Sequence, residues 1–285
     1  MNIYSIIIPM YNSKSVIIES LNSVFKQKFD KNYEVIIVDD CSTDDSVEVV
    51  KKYIKDNNIN NIILIENKVN RKQGYSRNRA MEISKGEYLI FLDADDKLYD
   101  DLVLQKLYEI IKENTVDIVY ADLKATNERD FEIKLNKETF NKEEMLMNFK
   151  WANVLAKCFN RKFIMENNIM FLEDILYEDL YFYFLSIYYS KTFEIAEFYM
   201  YNYVAQKESS MATKTFTQTI YTIKLIEELV KLKDIIKKED IYLLEGRIKQ
   251  QRSRILPRLD RAIDKNFNID KGEKYAKSNC NNTNT

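Results

Sequence analysis

Short apolar runs at residues 5–9, 34–38, 62–65, 88–92 and 116–120 punctuate the first part of the chain, and each has the length and β-branched content of a buried strand. Between them, apolar positions recur every three to four residues, which predicts helices over 15–25, 46–55, 75–84 and 101–113. In the first of these, Val16, Ile17, Leu21 and Val24 fall on one side. Ser42, Thr43, Asp44 and Asp45 offer N-cap candidates for the second, and Gly86 reads as the residue that ends the third. Strand and helix alternating at this length predict an α/β fold, with a mostly parallel central sheet and helices on both faces.

The alternation fades after about residue 131. Helical patterns return at 142–150 and 161–167, followed by an aromatic-rich stretch over 177–203. Within it Tyr181, Phe184, Leu185 and Tyr188 keep helical spacing and are expected to pack in the core, with a minority of rings free to stack on a sugar face. Ile220, Ile223, Ile226, Leu229, Val230, Ile235 and Ile236 then repeat at helical spacing. A second helical run over 243–263 carries Arg247, Lys249, Arg252, Arg254, Arg258 and Arg261. The organisation expected is a domain over 1–214, divided near residue 120, a helical C-terminal extension over 215–265 and a polar, disordered tail over 266–285. The basic helices are expected to pack as a solvated hairpin; a surface for anionic lipid or for self-association is the other reading.

Composition narrows the chemistry. The chain has 285 residues, is 46% hydrophobic and has a formal net charge of −2, so it lacks the basic signature of a nucleic-acid binder. No apolar run approaches the ~18 residues that span a bilayer, and the first residues lack a signal-peptide pattern. The expected location is the cytoplasm, or the inner face of the cytoplasmic membrane as a peripheral protein. Cys41, Cys158 and Cys280 are scattered, as reduced thiols are. There is no histidine, so proton transfer falls to Asp, Glu, Tyr, Lys or Cys. None of the four glycines lies before Gly74, which removes the dinucleotide fingerprint and the P-loop and disfavours a nucleotidyltransferase of the pyrophosphorylase kind.

Three acidic stations remain. Asp93, Asp95 and Asp96 follow the apolar run 88–92, and Asp39-Asp40 end the run 34–38. Both lie at carboxyl ends of predicted parallel strands, where open α/β sheets bind ligands. Asp93 and Asp95 leave the same face of an extended chain and would be compensated by a hard divalent cation, which brings a phosphate with it. An acidic turn that caps the following helix is the alternative. An Asp at the second-strand edge can accept hydrogen bonds from a base N–H and a ribose hydroxyl. Glu178-Asp179 can supply a carboxylate base, although such pairs are more often surface charge or a helix cap.

The order of residues adds a resemblance. Ser5-Ile-Ile-Ile-Pro-Met-Tyr-Asn12, Glu34-Val-Ile-Ile-Val-Asp-Asp-Cys-Ser-Thr-Asp44, Gly74-Tyr-Ser-Arg-Asn-Arg-Ala80, Gly86-Glu-Tyr-Leu-Ile-Phe-Leu-Asp-Ala-Asp-Asp96 and Tyr177-Glu-Asp-Leu180 stand in the order and rough spacing of family 2 glycosyltransferases. The resemblance covers roughly residues 3–205 and implies a GT-A fold that binds a nucleotide-diphospho-sugar, usually UDP-linked, with Mg²⁺ or Mn²⁺. It implies that Pro9 and Tyr11 line the base pocket, that Asp40 reads the base and that Arg77 lies near the donor. Asp93-Ala94-Asp95 matches the DxD motif, with Asp93 near ribose and metal and Asp95 the direct metal ligand. Asp179 matches the catalytic base, and Glu178 orients the acceptor or the base. The activity implied is an inverting, metal-dependent hexosyl or N-acetylhexosaminyl transfer to a glycan or lipid-linked acceptor, as in bacterial capsule and lipooligosaccharide synthesis. Cys41 stands where the family more often has glycine, and the Gln-x-x-Arg-Trp motif of processive polymerases is absent, so transfer is expected to be non-processive. A catalytically degenerate sugar-nucleotide binder is the competing reading.

Overall fold

Every side chain of Tyr4–Met10, strand β1, is buried, so this strand has a helix layer on each side. The structure is a computed structural model that describes residues 2–127, 131–147, 153–205 and 216–255. Chain contacts divide it into two units, Met1–Lys207 and Glu208–Thr285. The domain boundary expected after residue 214 and the tail over 266–285 lie outside the described residues.

In the first unit, β2 (Tyr33–Asp39), β3 (Ile62–Glu66) and β4 (Tyr88–Phe91) join β1 in the all-parallel order β3-β2-β1-β4. The intervening helices are α1 (Ile17–Phe25), α2 (Ser46–Asp56) and α3 (Lys72–Ile83). Alternate strand residues face opposite layers. Ile6, Ile8, Val35, Ile37 and Ile90 pack with Ile17, Leu21 and Val24 of α1 and with Leu104 and Leu107 of α4 (Val103–Ile111). The opposite face meets α3 and, through Phe91, the aromatic cluster described below. Beyond β4 the sheet becomes mixed, in the order β4-β8-β6-β9-β5. Its strands are β5 (Lys97–Leu98), β6 (Ile118–Asn127), β7 (Glu132–Ile133), β8 (Lys157–Asn160) and β9 (Phe193–Ala205), with α5 (Lys142–Met147), α6 (Arg161–Glu166) and α7 (Glu178–Tyr189) between them. β8 runs antiparallel to both β4 and β6, whereas β6 and β9 are parallel.

Two sequence expectations are refined. The helical aromatic stretch ends at Tyr189, and the remainder of 177–203 enters β9. Gly86 is not a left-handed helix cap, since no glycine among the described residues has positive φ and Ser84 caps α3 in an extended conformation. Its need for glycine is close approach: a Cβ there would lie 2.4 Å from the Ser5 nitrogen. Its N–H donates to Ser5 Oγ at 2.8 Å and to Glu34 Oε1 at 3.1 Å, which joins β1, β2 and β4 at their shared end.

In the second unit, α8 (Phe216–Lys231) and α9 (Ile241–Arg252) bury Leu225, Leu229, Leu244 and Ile248. Arg247, expected on the basic face, is 1% exposed, and Arg258 and Arg261 lie outside the described residues. No helix among the described residues is long and apolar enough to cross a membrane.

Candidate active site

The parallel half of the sheet brings the first two acidic stations to one edge. Pro9 is paired with Val38, and the Asp40 N–H donates to the Met10 carbonyl at 2.7 Å, so β1 and β2 deliver Pro9, Tyr11 and Asp40 together. Pro9 is buried, while the Tyr11 side chain is 48% exposed. Asp40 is buried, and its Oδ1 accepts from Asn67 Nδ2 at 2.9 Å and from the Arg71 N–H at 3.0 Å. Its Oδ2 takes no donor among the described residues, so one carboxylate oxygen is held and the other is available to a ligand N–H. Asn67, Asn70 and Arg71, which complete this pocket, carry no signature in the sequence. Asn70 Nδ2 donates to the Asp40 carbonyl at 3.0 Å. Cys41 has φ 63°, the left-handed conformation that glycine adopts at no steric cost and that disfavours other residues by about 1 kcal/mol.

The three aspartates after β4 have separate fates. The Asp93 N–H donates to Tyr201 Oη at 3.1 Å, and its Oδ1 accepts from Arg77 Nη2 at 2.7 Å. Ala94 is buried. Asp96 turns into the protein and accepts from Tyr201 Oη at 2.7 Å and from the Val204 N–H at 2.7 Å, which fastens the loop to β9. Burial, with Asp93 and Asp95 adding to it, pushes the Asp96 carboxyl up to about 8. Asp95 is half-buried and accepts from no side-chain donor among the described residues; burial and then Asp93 push it up to about 6.

No group of three acidic, Cys or His side chains forms a ready-made metal cage among the described residues. Asp93 and Asp95 offer two oxygen donors in a place where negative charge is under-compensated. That donor set fits a hard divalent cation that completes its shell with diphosphate oxygens and water, as Mg²⁺ commonly does.

The third station reaches the same place through a buried arginine. Glu178 and Asp179 open α7, just after Tyr177 at φ 69°. Arg77, 2% exposed, donates from Nη1 to the fully buried Glu178 at 2.5 Å and from Nη2 to Asp93. Burial disfavours its cation, but Asp93 and Glu178 outweigh that and keep it firmly protonated. Burial raises the Glu178 carboxyl, against the pull of Arg77. Asp179 is half-buried yet densely surrounded, and burial followed by the Glu178 charge pushes it up to about 7.

Two of the residues singled out by the resemblance are buried. Arg77 has both terminal nitrogens engaged by Asp93 and Glu178, and Glu178, implied to orient the acceptor or the base, has no exposed surface and lies next to Asp179 in the chain. Arg77 and Glu178 join the loop after β4 to the start of α7. Aromatic packing reinforces the joint: Phe182 of α7 stacks on Phe171 at 4.0 Å and meets Phe91 of β4 edge-on at 5.5 Å.

The segment before α7 is fastened to α3 at several points. Asn78 Nδ2 donates to the Phe171 carbonyl at 2.9 Å and its Oδ1 accepts from the Phe171 N–H at 2.9 Å. Arg71 binds Asp174 at 2.7 Å and Glu173 at 2.8 Å, so the residue whose N–H holds Asp40 also holds this segment. Gly74 makes the close approach feasible, since a Cβ there would lie 2.0 Å from the Leu172 carbonyl oxygen and 3.1 Å from Glu178 Cγ. Glycine to alanine inside a helix ordinarily stabilises by about 1 kcal/mol. Here the sign reverses: Gly74→Ala is expected to destabilise by about 1–3 kcal/mol and to lower turnover, measured by thermal unfolding and by initial rates.

Comparison with known proteins bears on this geometry. A profile described as glycosyl transferase family 2 matches residues 5–178. A poly(ribitol-phosphate) beta-glucosyltransferase from Bacillus spizizenii is 39% identical over 171 residues, covering 59% of this chain and 26% of its own length. The poly(ribitol-phosphate) beta-N-acetylglucosaminyltransferase TarS of Staphylococcus aureus is 34% identical over 175 residues, covering 60% of this chain and 30% of its own. The chain thus spans between a quarter and a third of the length of these curated relatives. The crystal structure of S. aureus TarS 1-349 in complex with UDP-GlcNAc superposes with a TM-score of 0.72 at 25% identity, over 90% of this chain and 72% of that one. A Pyrobaculum calidifontis mannosyltransferase in complex with GDP-Man and Mn²⁺ shares the fold, with a TM-score of 0.65 at 18% identity over 92% of this chain and 74% of that one.

Proposed function

Because the chain belongs to glycosyl transferase family 2, we propose that it moves a sugar from a UDP-linked donor to a hydroxyl of a surface-polymer acceptor, with inversion and one sugar per encounter. The observation that carries the reading is the Arg77 joint, which gathers Asp93 and the Glu178-Asp179 pair on the sheet edge that also carries Asp40. The buried Asp40, with one oxygen held by Asn67 and Arg71, suits the imide N–H of uracil, beside the ring of Tyr11. Names of relatives that form beta-linked glucosyl and N-acetylglucosaminyl products on poly(ribitol phosphate) support a hexose or N-acetylhexosamine donor and a polymeric acceptor.

Asp179 takes the proton from the acceptor hydroxyl as its oxygen attacks the anomeric carbon from the face opposite the diphosphate, and the bond from that carbon to the diphosphate breaks. With histidine absent from the chain, a carboxylate is the natural base, and a pKa near 7 matches it to that task. Asp93 and Asp95 would hold Mg²⁺ or Mn²⁺, which would neutralise the departing diphosphate. Arg77 keeps both carboxylate stations in register while the donor is bound. The intact stations weigh against a degenerate sugar-nucleotide binder.

The test is a UDP-release screen over UDP-, GDP- and dTDP-sugars, with Mn²⁺ or with EDTA. Release is expected from a UDP-sugar, abolished by EDTA, and with kcat/KM falling on the acid side of about pH 7 as Asp179 takes up a proton. NMR of the product should show the β anomer from an α-linked donor. Absence of both release and calorimetric UDP binding would overturn the reading.

A further inference from the structure

β9 slips past β6 twice just before it meets β5. Ala121 of β6 pairs with Ala196, Asp122 with Tyr199 and Leu123 with Tyr201, so Glu197, Phe198 and Met200 fall outside the register. A slip of one residue turns a strand's side chains to the other face, and bulges of this kind re-aim side chains beside binding sites. After the two slips Tyr201 pairs with Leu98 of β5, is fully buried and brings its hydroxyl to the turn after β4.

Both ends of that turn meet in the one hydroxyl. Tyr201 Oη accepts the Asp93 N–H at 3.1 Å and donates to Asp96 Oδ2 at 2.7 Å. The Asp96 N–H donates to the Asp93 carbonyl at 3.0 Å, and Asp96 Oδ1 accepts from the Val204 N–H at 2.7 Å. Residues 93–96 therefore form a hydrogen-bonded ring, with Ala94 and Asp95 between its fastened ends. Asp93 is held twice, by Tyr201 at its N–H and by Arg77 Nη2 at its carboxylate. Asp95 accepts from no side-chain donor among the described residues, so its placement relative to Asp93 follows from the shape of the turn. Attaching the loop to the sheet could use any of its backbone groups. Tyr201 takes the N–H of the very residue whose carboxylate would be the first donor to a cation.

We propose that Tyr201 is a positioning residue of the metal site: by accepting the Asp93 N–H and donating to Asp96, its hydroxyl fixes the turn that presents the Asp93 and Asp95 carboxylates to a small divalent cation. The proposal rests on the reading of those two aspartates as cation donors. Mg²⁺ demands near-ideal octahedral geometry at about 2.0–2.1 Å, whereas Ca²⁺ accepts irregular shells at about 2.3–2.6 Å. A fixed turn therefore favours the smaller ion, and a loosened one should lose Mg²⁺ more than Ca²⁺.

The test is calorimetric titration of the full chain with Mg²⁺ and with Ca²⁺, UDP present, for wild type, Tyr201→Phe and Asp96→Asn. Uridine binding, followed by NMR, checks the fold and the Asp40 pocket without using the cation. Tyr201→Phe keeps the ring and removes only the hydroxyl. Its Mg²⁺ affinity should fall at least about fivefold, and the ratio of Mg²⁺ to Ca²⁺ affinity at least about threefold. Uridine affinity should stay within about twofold, since the base pocket shares no partner with Tyr201. Asp96→Asn puts an amide where the hydroxyl's proton acceptor was, and its ratio should fall the same way by less. That variant also loses a charge, but a lost charge weakens both divalent ions together and leaves their ratio in place. A ratio that stays at the wild-type value in variants that bind uridine overturns the proposal, whatever happens to stability, because a packing role does not discriminate between the ions. If Tyr201→Phe fails to bind uridine, Asp96→Asn decides by the same criterion. Loss of uridine binding in both would show a packing role and overturn the proposal too. Wild-type protein that binds UDP but takes up neither cation would instead overturn the reading of Asp93 and Asp95, and this proposal with it.

Discussion

Asp179→Asn is expected to lower transfer by at least about a thousandfold while leaving UDP affinity within a few-fold of wild type. The amide keeps the shape of the carboxylate and cannot take the acceptor's proton. The start of α7 should hold its place, because Phe182 remains stacked on Phe171 and Glu178 on Arg77. Donor binding should persist for a separate reason: Asp40, with Asn67 and Arg71 on its Oδ1, uses none of α7. Initial rates and calorimetry on the same preparation check both halves. Near-normal turnover would remove Asp179 from the mechanism.

Arg77→Met should be the most damaging substitution to the fold. Glu178 has no exposed surface, and without Arg77 its charge would be buried with no cation bonded to it. Breaking a buried pair from one side costs about 3–5 kcal/mol, which lowers Tm by roughly 10 °C in a chain of this size. The double substitution Arg77→Met with Glu178→Met should recover much of that stability, because well-packed apolar side chains can replace a buried ion pair. It should not recover turnover, since Asp93 then loses its anchor and Asp179 loses the arginine charge beside it. A double variant as active as wild type would show that Arg77 and Glu178 serve packing alone.

The parallel half of the molecule was legible from pattern. β1, β2 and β4 are continuous apolar runs because both of their faces are covered, and the acidic residues that end them mark the sheet edge where ligands bind. The mixed half was not. β5 and β7 have two residues each, and β8 reads Lys-Cys-Phe-Asn, too short and too varied to show a period. β9 begins within an aromatic stretch whose first part is helical, and composition alone does not divide the two.

The site divides in a similar way. Asp40, Asp93, Asp95 and Asp179 could be picked out because their motifs are local, each a few residues at a strand or helix end. The residues that hold them could not. Asn67 and Arg71 reach Asp40 from the loop after β3, and Tyr201 reaches Asp96 and the Asp93 N–H from β9. The three aspartates after β4 look equivalent in sequence, yet one turns inward to Tyr201 and another toward Arg77.

The sequence by itself therefore determined which carboxylates stand at strand and helix ends and which family the chain joins, because strand period, charge and the order of the motifs are local properties. Only the tertiary structure decided that Arg77 is a buried joint and that Asp96 is a fastening. Those roles depend on burial and on partners up to about a hundred residues away, since a side chain's charge and reach take their meaning from what is packed around them.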